Sequence, residues 1–268
     1  MQTLIEAAQE VLAQDTALPF AAIHSVKEQH IVNVPVMKPM LICILDGYKK
    51  LGQIDPIECA PGEFVFLSNQ PKIEMRNVPS AHHYFALVIE FENQDFDCLP
   101  TDFGPTAKHI TGTIDTTFGN TLLQFVQWCA FAPQALWPLR RQELLLTLHH
   151  LGYTKVSQLR AAPSISHQLH ALLNQNIAAN ISSAELAESL AMSESTLRRK
   201  LSDAGLNLQT IKENIRMGHG LGLLQSTNLP INHIAEQCGY ASQSRFTDKF
   251  KQRFGLTPTE LRKTRLID

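Results

Sequence analysis

A chain of 268 residues exceeds the usual size of one domain, so two domains are the starting expectation. Its 44% hydrophobic and 18% charged content is that of a globular protein with enough apolar surface for real cores, and argues against a disordered chain. The net charge of −2 hides an asymmetry: up to Pro163 there are 11 Lys and Arg against 16 Asp and Glu, a net of −5, and beyond it 12 against 9, a net of +3.

The opening MQTLIEAAQEVLAQD predicts an amphipathic helix with Leu4, Ala8, Val11 and Leu12 on one stripe. Its acidic residues stand where a secretory signal has basic ones, and no window approaches the ~18 consecutive apolar residues of a membrane span, so no membrane partner is expected. Five cysteines, at 43, 59, 98, 129 and 238, include no CxxC pair; they read as small buried hydrophobes in a reducing, cytoplasmic compartment.

Short alternating runs come next: PMLICILDGYKKLG, GEFVFLS, KIEMRN and HHYFALVIEFEN, split by Asp46-Gly47, Pro61-Gly62 and the segment 77–80. This is the pattern of a small antiparallel barrel or sandwich. Two helices are predicted after them, Thr117 to Phe131 and Leu139 to His150. The apolar stripe Leu122, Leu123, Val126 and Cys129, with Trp128 nearby, serves either packing on the sheets or a subunit contact. A polar stretch at 161–164 marks the domain boundary, giving domains 1–162 and 163–268.

The second half contains an internal repeat. Leu186-Ala187-Glu188 recurs 48 residues later as Ile234-Ala235-Glu236, and Leu197 with Leu201 recurs 49 residues later as Phe246 with Phe250. Each copy reads as helix, tight turn, helix. Ser182 and Glu185 form a capping box for the first copy, and Ala191-Met192-Ser193 breaks its leading helix. In the second copy Gly239 suits a left-handed helix end and Ser242 caps the second helix. Small Ala187 and Ala235 let the paired helices approach, as in a helix-turn-helix whose second helix enters a DNA major groove. Between the copies, Asn207 to Ser226 predicts a helix of about 30 Å, close to the ~34 Å of one DNA turn. It carries Gly218, Gly220 and Gly222, which read equally as sites of close packing or as a hinge.

With Ile234-Ala235, Gly239-Tyr240, Ser242, Phe246, Phe250-Lys251, Phe254-Gly255 and Thr257-Pro258 at fixed spacing, the segment 164–263 resembles the AraC/XylS family of bacterial transcription regulators. The resemblance implies that Ser195, Arg198 and Arg199 in the first copy, and Ser242, Gln243, Ser244 and Thr247 in the second, lie at or near base edges. Lys249, Lys251 and Arg253 would then contact phosphates. Asp248 departs from the pattern, standing where a cation is expected. The runs ILDGYKKLG, PGEFVFLSN and PLRRQELLLTLHHLG are similar to the N-terminal domain of such regulators. They imply a cupin-like antiparallel β-barrel that senses a small-molecule effector, and helices that form a homodimer. The expected fold is therefore α+β, with an all-α C-terminal domain of two helix-turn-helix units, and the expected partners are double-stranded DNA, the effector and RNA polymerase.

The competing reading is a cupin-type metal enzyme fused to a helical domain. Adjacent His82 and His83 would point to opposite faces of a strand, His24 and His30 lack a carboxylate at ligand spacing, and His149-His150 sits on a helix, so no metal, cofactor or catalytic residue is expected. A third reading is an effector-independent DNA-binding protein or a purely architectural module.

Overall fold

The structure is a computed structural model that describes residues 1–14, 17–81, 83–100, 107–160 and 165–265. Its contacts divide the chain into two units, Met1–Ala161 with Thr264–Asp268, and Ala162–Lys263. The stretch read as the boundary, 161–164, lies outside the described residues, as does His82.

In the first unit, helix α1 (Gln2–Leu12) precedes β1 (Ala21–Ser25), β2 (Gln29–Val36), β3 (Met40–Asp46), β4 (Tyr48–Leu51), β5 (Ile57–Cys59), β6 (Glu63–Leu67), β7 (Gln70–Val78) and β8 (Tyr84–Glu90). After a 3-10 turn at Asn93–Cys98 come β9 (His109–Thr113), α2 (Thr116–Cys129) and α3 (Trp137–His150). The strands form two antiparallel sheets, ordered β1-β8-β3-β6-β9 and β2-β7-β4-β5. Among the described residues no hydrogen-bonded pair of strands joins one sheet to the other, so the expected barrel is an open sandwich. The edge strands explain this. β5 has three residues, and the β2 ladder slips between Ile31 and Val34 and again between Val34 and Val36. Asn33 there is left-handed (φ 54°) and Pro35 has no N–H to donate.

Alternation along the strands separates two cores. Leu41, Cys43, Leu45, Phe64, Phe66, Leu87 and Ile89 point to one face of the five-stranded sheet, where they join α1, α2 and α3. Asp115 starts α2 by accepting from the Phe118 N–H at 2.8 Å. Leu122, Val126 and Cys129 are 0–5% exposed within this core and Leu123 packs against it. Most of the stripe is thus consumed inside the subunit, which is the packing alternative of the two readings. The exposed apolar side chains lie elsewhere on the helical layer: Phe131, Leu136, Leu139 and Leu146, of which Leu139 and Leu146 stand opposite the buried Leu144, Leu145 and Leu148 of α3.

The second unit holds α4 (Ile165–Asn174), α5 (Ser183–Ser189), α6 (Glu194–Asp203), α7 (Leu208–Ser226), α8 (Ile231–Gln237), α9 (Gln243–Phe254) and α10 (Pro258–Lys263). Leu169, Leu173, Leu186, Ala187, Leu197, Leu201, Ile211 and Ile215 make one core, built from α4 to α6 and the first half of α7. Phe246, Phe250 and Phe254, all 0% exposed, stack in series with ring centroids 5.6 and 4.6 Å apart and seat α9.

Candidate nucleic-acid interface

Both helix pairs are closed by local chemistry. Ser182 accepts from the Glu185 N–H while the Glu185 carboxylate accepts from the Ser182 N–H, completing the capping box. Ser193 caps α6 through the Thr196 N–H, and Ser242 caps α9 through the Arg245 N–H. At the corner of the second pair Gly239 is left-handed (φ 75°), and a Cβ there would meet the Ala178 backbone at 3.0 Å. The equivalent residue of the first pair, 48 positions earlier, is Ala191, which holds the same left-handed region (φ 51°) with a side chain. Two corners of one shape are therefore built with and without glycine, the first under more backbone strain.

Burial decides which faces of the second helices are free to meet a ligand. On α6, Leu197 and Leu201 point inward, leaving Ser195, Arg198, Arg199 and Lys200 exposed; Arg198 is 3.7 Å from Glu194, and Ser195 shares a hydroxyl contact of 2.9 Å with Ser193. On α9, Ser244, Arg245, Asp248, Lys251 and Gln252 are exposed on the side opposite the three phenylalanines, with Thr247 half-buried at its margin. Gln243 is exposed in the first turn, and the Ser242 hydroxyl is engaged as the cap.

Lys249 and Arg253 lie on a different flank. Lys249 Nζ is 3.0 Å from Glu213 on α7, and Arg253 is half-buried, its pKa lowered by that burial while Glu213 pulls the other way. Of the ten predicted contacts, these two lie nearest the acidic Glu213 of α7. Arg245, by contrast, was not among the predicted contacts, although it falls on the exposed face with Asp248 and Gln252; its spacing of three from Asp248 was the available signal.

Helix α7 has 19 residues, about 28 Å at 1.5 Å each, and remains helical through all three glycines. Gly220 and Gly222 differ in surroundings. A Cβ on Gly220 would lie 2.8 Å and 2.9 Å from Phe246 ring atoms and 3.1 Å from Cys238 Sγ, whereas one on Gly222 would meet nothing within 4 Å. The Phe246 ring is wedged between Tyr240 and Phe250, so it cannot swing aside cheaply. Gly220→Ala is therefore expected to destabilise the second unit by about 1 to 2 kcal/mol, overpacking outweighing helix propensity. Gly222→Ala should stabilise it by up to about 1 kcal/mol. Thermal melting followed by far-ultraviolet dichroism separates them; two changes of the same sign would refute the packing account.

The paired corners, matched caps and exposed cationic second helices are those of a helix-turn-helix pair, and residues 186–264 match the family model described as a helix-turn-helix domain. The chain is similar to the HTH-type transcriptional regulator GadX of Escherichia coli, with 34% identity over 98 residues, 37% of this chain and 36% of GadX. It is also similar to the virulence regulon transcriptional activator VirF of Shigella flexneri, with 31% identity over 106 residues, 40% of each chain. The matches thus span well under half the length of these curated relatives. Over nearly the whole chain the fold is similar to that of ToxT from Vibrio cholerae. The structure with bound unsaturated fatty acid gives a TM-score of 0.63 at 16% identity, covering 93% of this chain and 96% of ToxT. The complex with a methylnaphthalenyl butenoic acid gives 0.65 at 15% identity, covering 93% and 99%.

Among the described residues no group of three or more His, Cys, Asp or Glu side chains is placed to hold a metal ion, and no helix is long and apolar enough to cross a membrane. His30 is engaged with Glu74 at 2.5 Å, beside Arg76.

Proposed function

We propose that the protein is a cytoplasmic, sequence-specific DNA-binding transcription regulator and not an enzyme. In this reading residues 163–268 bind DNA and residues 1–162 sense a small-molecule effector. The observation that carries it is the duplicated helix pair, whose second helices each bury two or three large apolar residues and present a polar, cationic face. Ser195, Arg198 and Arg199 of α6, and Gln243, Ser244, Arg245, Thr247 and Lys251 of α9, would meet the duplex, while Lys249 and Arg253 hold α9 in place. The ToxT complexes with carboxylic acids support an effector role for the first unit. Homodimerisation is assigned to the exposed Leu139 and Leu146 of α3, since most of the α2 stripe is buried. RNA polymerase is the further partner that a regulator of this kind requires.

The test is fluorescence anisotropy of the full chain on a random-sequence duplex at rising salt. Affinity should fall on the order of a hundredfold or more between roughly 50 and 200 mM salt, as counterions are released from several phosphates. Selection from a random pool should then return a site, and Arg199→Ala should relax preference at particular base pairs by about 1 to 3 kcal/mol. Equal weakening on every sequence would reassign Arg199 to phosphate. Salt-independent or absent binding would sink the regulator reading.

A further inference from the structure

The inner face of the four-stranded sheet carries an unusual row. Gln29 is paired with Asn77, Asn77 with Lys49, and Lys49 with Cys59, one residue from each strand. Directly paired residues of an antiparallel ladder project to the same face, so the four side chains form a line across the sheet. All are 0–1% exposed. Facing them from the other sheet is the paired couple Ser25 and Tyr84, each 1% exposed, with Lys49 Nζ 5.9 Å from the Tyr84 ring centroid.

Hydrogen bonds in the row run one way. Lys49 Nζ donates to Asn77 Oδ1 at 2.7 Å, Asn77 Nδ2 to Gln29 Oε1 at 2.8 Å, and Gln29 Nε2 to Thr264 Oγ1 at 2.7 Å, Thr264 belonging to the same unit. Each amide oxygen is spent on a neighbour. The ammonium has three N–H groups and uses one, and no carboxylate among the described residues forms an ion pair with it. The buried hydroxyls of Tyr84 and Ser25 have no hydrogen-bond partner. The cluster therefore holds a positive charge and unpartnered hydroxyls with no anionic acceptor among the described residues, an arrangement that is costly for the fold alone. Two positions along each strand the same face turns apolar, with Ile31, Met75 and Leu51 in the paired row. Ile44 and Ala86 occupy the corresponding place on the five-stranded sheet.

We propose that Lys49, Tyr84 and Ser25 form the head-group site for a carboxylate with an apolar body, which lies between the sheets along Leu51, Met75 and Ile31. The ammonium supplies the opposite charge, the two hydroxyls supply donors, and the apolar rows take the tail. Calling this carboxylate the effector rests on the regulator reading above; the site itself does not. With Lys49 at 0% exposure an entering carboxylate has to part the two sheets over the row, so association is slow and binding changes the sandwich.

The test uses the full chain with decanoate, oleate and phenylbutyrate, each paired with the corresponding alcohol, in titration calorimetry and thermal shift. At least one acid should bind and raise the melting temperature, with its alcohol weaker by about tenfold or more. Lys49→Met should lose that preference while melting at or above the unliganded parent, because a methionine fills the space without a buried charge. Tyr84→Phe, which keeps the ring, should weaken acid binding by about fivefold to tenfold. If no acid binds the parent chain, or acid and alcohol bind alike, or Lys49→Met retains the preference, the proposal is overturned. DNA anisotropy with and without the acid separates the two readings: acid binding that leaves DNA affinity unmoved removes the effector role and keeps the site.

Discussion

Arg141→Met is expected to lower the unfolding free energy of the first unit by about 3 to 5 kcal/mol. Arg141 on α3 reaches the 3-10 turn after β8, where its Nε and Nη2 meet the two oxygens of Asp95 at 2.5 and 3.1 Å. Asp95 is 0% exposed and also accepts from the Glu92 N–H at 2.7 Å, so its carboxylate closes the turn and anchors the helix together. Removing the guanidinium strands a buried carboxylate with one backbone donor left. Its desolvation cost then stands without the ion pair that offset it. Asp95→Asn on top of Arg141→Met should recover part of the loss, since the stranded charge is gone while some of the capping geometry remains. Both tryptophans, Trp128 and Trp137, lie in this unit, so urea unfolding followed by their fluorescence reports it separately from the DNA-binding unit. A loss below about 1 kcal/mol would mean that the pair is solvated and contributes as little as a surface bridge.

Local chemistry was legible in the sequence, and partnership between distant segments was not. The helix pairs could be read because their signals are short-range: Ser182 with Glu185, Ser242 before its helix, Gly239 at the corner, and phenylalanines at four-residue spacing. Strands β3, β4, β6, β7 and β8 could be read because alternation is sustained and turns such as Asp46-Gly47 are explicit. β2 was hidden by Pro35 and by the left-handed Asn33, β5 by its three-residue length, and β9 by a sequence, HITGT, in which Ile110 is the one large apolar residue and Gly112 weakens the strand signal. The open edge of the sandwich depends on which strands pair, and no local pattern encodes that. Glu213 is 36 residues before Lys249, so its claim on Lys249 and Arg253 could not be seen from α9 alone. Lys49 is the most instructive miss. In Tyr48-Lys49-Lys50-Leu51 strict alternation sends one lysine inward, yet lysine's preference for the surface argues against believing it. The structure follows the alternation.

That inward lysine gives the stability of the first unit a definite pH dependence. Burial pushes the Lys49 ammonium down from its ordinary 10.5 to about 8, the neighbouring Cys59 acting weakly in the opposite direction. Between those two values the unfolded chain holds a proton that the native chain has released, so stability rises with pH across that window. The contribution is present in full above the unfolded value and is lost as pH falls through about 8. Integrated over the window it amounts to roughly 3 kcal/mol. Other groups in the unit act against it at the alkaline end. Burial raises the Cys59 thiol from 9.0 to about 11, with Glu63 adding to the shift, and raises Cys129 to about 12; Cys43 and Tyr84 are raised further still. Each of these keeps its proton in the native state after the unfolded chain has lost it, so each lowers stability as pH rises. The raw curve should therefore climb from about pH 8, flatten and then fall. Subtracting the curve of Lys49→Met removes the contributions of Cys43, Cys129 and Tyr84 and most of that of Cys59, whose thiol Lys49 pulls down slightly, and the difference should rise across the window before levelling. A flat difference would show that Lys49 reaches water in solution, and it would remove the buried cation on which the carboxylate site depends. A bound carboxylate should reverse the slope, because it holds the ammonium protonated: its affinity should drop about tenfold for each unit of pH above about 8.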